Sequence, residues 1–110
     1  MVFDVSEVTG IGEYTEAKEI LGNGNDTEKV TVYKMLPDPT EEPRAFLVVR
    51  KNTIEVRTDS KLRDLLREKY ESVMESRYFG KGGIEIVNSG QLAEDEIDDL
   101  IRLSYNLTAE

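Results

Sequence analysis

The period of the apolar residues changes several times along this chain, and each change marks an element. Residues 1–12 are weakly patterned, with Phe3, Val5 and Val8 set among acids. From Glu13 to Leu21, Tyr14, Ala17, Ile20 and Leu21 recur at helical spacing, and Gly22-Asn23-Gly24-Asn25 supplies a stop. That spacing predicts a short helix at about 13–21 within an N-terminal region, 1–29, that is otherwise hard to place. Val30 to Met35 alternates as a half-buried strand does, with Val30 and Val32 on one face and Thr31, Tyr33 and Met35 on the other. All three prolines fall in Leu36 to Pro43, which is therefore expected to be a loop. Ala45 to Arg50 and Thr53 to Arg57 read as two more strands about a Lys51-Asn52 turn, giving an antiparallel meander.

Thr58-Asp59-Ser60 offers capping oxygens to a second helix. Its inner face would carry Leu62, Leu65, Leu66, Tyr70, Val73 and Met74. Ser76-Arg77-Tyr78-Phe79-Gly80-Lys81-Gly82-Gly83 then reads as a glycine-rich connector into a fourth strand at Ile84 to Asn88. Asn88-Ser89-Gly90 turns the chain. Glu94, Asp95 and Glu96 open a last helix, where negative charge suits the N-terminal dipole, and Ile97, Leu100, Ile101, Ser104 and Tyr105 form its inner face. The predicted order is α-β-β-β-α-β-α. This is an α+β two-layer sandwich in which an antiparallel sheet of about four strands packs against helices. Its 110 residues suit a single domain.

Composition then removes whole classes of mechanism. The chain has no cysteine and no histidine. Disulfides, thiolate nucleophiles, Cys/His zinc sites and histidine proton shuttles are excluded. No apolar run approaches the length of a membrane span and no secretory leader is visible, so a cytoplasmic protein is expected. No pair of carboxylates is marked by an apolar, pKa-raising neighbourhood, and no cofactor motif stands out. The glycine-rich connector follows a helix and leads into a strand, the reverse of a phosphate loop.

The formal charge of −9 is unevenly spread. Residues 1–43 carry 3 Lys/Arg against 10 Asp/Glu, residues 44–81 carry 10 against 6, and residues 82–110 carry 1 against 7. Within a Debye length of about 8 Å, a local basic face can outweigh a net acidic charge. Arg57, Arg63, Arg67, Arg77 and Lys81 are the candidate phosphate contacts, with Tyr78 and Phe79 as candidate base-stacking rings. These residues point to a non-enzymatic domain that binds nucleic acid or another polyanion. The alternative is a protein-interaction module that uses its acidic surfaces. Glu94, Asp95, Asp98 and Asp99, paired at i,i+4, are a weaker candidate for a hard cation.

From about residue 30 onward the sequence resembles the MmcQ/YjbR-like family. The resemblance lies in Ile54-Glu55-Val56-Arg57-Thr58-Asp59, in Lys61 with Leu65-Leu66-Arg67-Glu68-Lys69-Tyr70 and Val73, in Gly80-Lys81, and in Leu100-Ile101, Ser104-Tyr105 and Leu107. It implies a frataxin-like (CyaY-like) sandwich, and DNA binding without an assigned reaction. Tyr78, Gly83 and Ile84 stand where many members carry His, His and Trp, and Gly80 replaces an Asn.

Overall fold

The computed structural model describes residues 5–36, 40–88 and 90–109. Phe3, the Pro37-Asp38-Pro39 core of the expected loop and Ser89 of the expected turn lie outside these residues. After a 3₁₀ turn at Val5–Glu7 come β1 (Tyr14–Asn23), β2 (Asp26–Met35), β3 (Arg44–Val49) and β4 (Thr53–Arg57). They are followed by α1 (Ser60–Lys69), β5 (Val73–Ser76), β6 (Gly80–Val87) and α2 (Glu94–Ala109). The strands form one antiparallel sheet in the order β1-β2-β3-β4-β6-β5.

Among the described residues six strands replace the expected four; the order α-β-β-β-α-β-α is overturned at two places, and one strand boundary moves. The predicted helix at 13–21 is strand β1. Asn23 and Asp26 close a hairpin whose first central residue, Gly24, has φ +59°, the conformation that matches strand twist in a two-residue turn. Pairing with the strongly alternating β2 then outweighs the helical spacing. The second helix ends at Lys69, where Tyr70 caps it in an extended conformation, so Val73 and Met74 belong to β5. The last strand starts at Gly80 rather than Ile84 because the glycine-rich stretch pairs with β5 and β4. Gly83 lies so close to β4 that a Cβ would sit 2.3 Å from the Val56 carbonyl oxygen.

Pairing places Tyr33, Leu47, Val49, Ile54, Val56, Ile84 and Ile86 on one face of the sheet. There they join Ile97, Leu100, Ile101 and Tyr105 of α2 in the main core. Burial of each large aliphatic side chain contributes roughly 1.5–3 kcal/mol before entropy. The inner face expected for α2 is the one observed, with Thr108 added. Helix α2 packs on β3 and β4, and α1 on β5 and β6. Asp59 caps α1 as expected, its carboxylate accepting from the Leu62 N–H at 2.8 Å. Yet α1 buries no residue fully, and Leu65, expected on its inner face, is 61% exposed. No helix among the described residues is long and apolar enough to cross a membrane.

Ser104 fastens α2 to the sheet. Its Oγ accepts from the Arg57 N–H at 2.8 Å and donates to the Phe46 carbonyl at 2.6 Å. Replacing Ser104 by Ala leaves both backbone groups without that partner, at a cost of about 1–3 kcal/mol. The expected readout is a lower urea midpoint with an unchanged slope. An unchanged midpoint would mean that the two bonds contribute nothing.

Candidate functional site

Among the described residues no helix covers the second face of the sheet. It carries Val30, Val32, Ala45 and Val48, with Leu21, Tyr78 and Phe79 packed against them. Tyr78 and Phe79 come from the tip of the β5–β6 hairpin and meet edge to face at 5.1 Å between centroids. The Arg57 guanidinium lies 4.8 Å from the Phe79 ring centroid while its Nε donates to the Ala45 carbonyl at 2.8 Å.

A buried carboxylate holds the hairpin tip in place. Glu55 is 0% exposed, because β4 is a central strand and the register turns its side chain to this second face. Its Oε2 accepts from Arg50 Nε at 2.6 Å. Its Oε1 accepts from the Ser76 hydroxyl at 2.7 Å and from the Tyr78 N–H at 2.9 Å. Ser76 Oγ in turn accepts from the Phe79 N–H at 2.8 Å. Arg50 also donates from Nη1 to Glu28, reaching the β1–β2 hairpin. Burial alone would lower the Arg50 pKa, but its hydrogen bonds to Glu55 and Glu28 more than compensate and raise it.

Glu85 forms a second ion pair beside the first. Arg77 donates to it through a fork, Nε to Oε1 at 2.9 Å and Nη2 to Oε2 at 2.7 Å, and Thr53 Oγ1 adds a bond at 2.8 Å. Burial pushes the Glu85 carboxyl up, yet these bonds outweigh burial and hold it below its ordinary value. The fork to Glu85 likewise raises Arg77, and burial pushes the Tyr78 phenol up. Leu21, Gly22, Asp26, Thr27, Glu28, Arg50, Arg77 and Tyr78 line an open cleft of about 710 Å³ over this network.

The seven residues singled out in the sequence therefore separate into two groups. Arg57, Arg77, Tyr78 and Phe79 belong to the second face: Arg77, though exposed, is paired with Glu85, and the two rings pack on valines rather than standing free for bases. Arg63, Arg67 and Lys81 belong to α1 and the start of β6. Arg63 Nη1 donates to the Lys81 carbonyl at 2.5 Å, joining the two elements, and Nε contacts Asp64 at 3.0 Å. Arg67, Lys81 and the neighbouring Lys61 and Lys69 are exposed. No local pattern in the sequence marks Glu55, Arg50 and Glu85 as paired. A glutamate and an arginine within strands that otherwise alternate look like solvent-facing positions, and only the rings of Tyr78 and Phe79 hinted that this face is covered.

Among the described residues no three acidic groups lie together as a metal site would need. The acids opening α2 make local bonds instead, Asp95 to the Glu96 N–H and Asp99 to Arg102. No protein-family model, curated protein or solved structure matches the chain.

The sign of the Glu85 shift sets a pH dependence. Because the folded value lies below the ordinary 4.5, the stabilisation it brings is present above about pH 4.5 and is lost as pH falls through the folded value. Arg77→Met removes the fork and is expected to move the acid-unfolding midpoint, followed by circular dichroism, to higher pH. An unmoved midpoint would show that the pair does not depress Glu85.

Proposed function

We propose that the protein is a non-enzymatic binding domain that engages a polyanion, nucleic acid in the first instance, through α1 and the start of β6. The Arg63–Lys81 hydrogen bond carries the reading, since it draws cations from two elements into one patch. Arg67 lies one turn on from Arg63 on the same side of α1, and Arg67 and Lys81 are exposed, in a chain whose overall charge is −9. Segregated positive charge of this kind attracts phosphates at short range while the acidic remainder repels them at long range. With Tyr78 and Phe79 packed on the second face, contact through this patch falls on the phosphate backbone and is insensitive to base sequence. Membership of the MmcQ/YjbR-like family is part of the same proposal, because Arg67 and Lys81 carry both the resemblance and the patch.

Phosphate contacts from Arg63, Arg67 and Lys81 predict that affinity falls roughly 20- to 40-fold when salt rises fourfold. Fluorescence anisotropy with labelled single-stranded and duplex DNA at two salt concentrations measures this. The double variant Arg67→Glu, Lys81→Glu is expected to abolish binding without changing the circular dichroism spectrum. Binding that is absent at low ionic strength, indifferent to salt or retained by the double variant contradicts the proposal.

A further inference from the structure

Strand β1 is an edge. Among the described residues it pairs only with β2, over ten residues and without a bulge. The opposite edge, β5, has four residues and a register shift. The Glu13 carbonyl accepts from the Leu36 N–H at 3.4 Å, which fixes the alternation of the ladder. Odd-numbered residues of β1 turn their backbone groups inward to β2. Tyr14, Glu16, Lys18 and Ile20 turn theirs outward, and nothing among the described residues bonds them. Ile20, 66% exposed, is the most exposed large apolar residue described. A long, regular edge with unpaired backbone is a template for another strand.

The side chains of β1 select which strand. An antiparallel pair of two copies must match outward residues with outward residues about a two-fold axis. An axis at Glu16, Lys18 or Glu19 sets that charge against its own copy, which is destabilising. An axis at Thr15 leaves Lys18 and Ile20 beyond the end of the partner strand. An axis at Ala17 sets Glu16 opposite the partner's Lys18, Lys18 opposite the partner's Glu16, and Tyr14 opposite the partner's Ile20. Two opposite-charge pairs and two apolar pairs then flank a small residue on the axis. The charges that would keep other edges away are complementary to this one.

We propose that two copies of this chain associate through β1 in an antiparallel register centred on Ala17, extending the sheet across the dimer. Light scattering on size exclusion is expected to give twice the chain mass of 12.5 kDa at high protein concentration. Lys18→Glu replaces both attractive pairs by repulsive ones and is expected to raise the dissociation constant roughly tenfold or more. Adding Glu16→Lys to it restores opposite charges and the dimer. Ala17→Cys supplies a second reading that keeps both charges. The chain has no other cysteine, and facing residues of a non-hydrogen-bonded pair lie within disulfide range. Oxidation is expected to cross-link Ala17→Cys and not Thr15→Cys. A wild type that stays monomeric at millimolar concentration, a Lys18→Glu variant as dimeric as wild type, a charge swap that fails to restore the dimer, or equal cross-linking of the two cysteine variants would each overturn the proposal. None of these outcomes bears on the cation patch of α1, whose test is separate.

Discussion

A carboxylate with no access to water must be paired and hydrogen-bonded, or its burial costs several kcal/mol. Glu55 meets that requirement with partners from three parts of the chain: Arg50 after β3, Ser76 at the end of β5, and the Tyr78 N–H in the hairpin tip. The second face depends on this arrangement. Because Tyr78 and Phe79 are held by bonds that end on Glu55, they cover Val30, Val32 and Val48, which no helix among the described residues covers. The β1–β2 hairpin is tied to the same centre through Glu28 and Arg50. Geometry rather than pairing energy makes this centre matter, since a buried ion pair is often no more stabilising than apolar residues of similar volume. What it supplies is one permitted position for the hairpin tip.

The same constraint decides where positive charge is available. Arg50 and Arg77 are committed to Glu28, Glu55 and Glu85, and Arg57 to the Ala45 carbonyl and the Phe79 ring. The basic middle third of the sequence therefore does not form one basic face. Arg50 and Arg77 neutralise acids on the second face of the sheet, and the cations left for a ligand lie on α1 and at the start of β6. That helix, half-buried at most, contributes little to the core and has its surface largely free for contact.

Much of this was legible in the sequence, and the failures share a cause. The strands from Val30 to Arg57, the Asp59 cap and the inner face of α2 follow from local periodicity and capping chemistry, and all three stand in the structure. β1 was hidden because Tyr14, Ala17, Ile20 and Leu21 fit a helical period by chance, while an edge strand has no strict alternation to contradict it. The Gly24-Asn25 pair was the available signal, since Gly-Asn between apolar segments marks a two-residue hairpin turn. β5 was hidden because Val73 continues the spacing of α1. For the network on the second face no local signal exists. The pairing of Glu55 with Ser76 and Tyr78 is a tertiary fact, set by the β4–β6 register. Read without that register, the residues 76–83 appear to be a connector with spare cations and rings. In the folded chain they are a hairpin tip whose rings and Arg77 are already occupied.

Amide hydrogen exchange at Tyr78 tests this account most directly. An N–H in an exposed hairpin tip exchanges at close to the free-peptide rate, whereas one bonded to a buried carboxylate exchanges only when the sheet opens. The account predicts that the Tyr78 amide is protected to the same extent as the amides of β4 and β6, and that Glu55→Gln lowers this protection. Exchange at the rate of an unstructured loop, with β4 and β6 still protected, would contradict it.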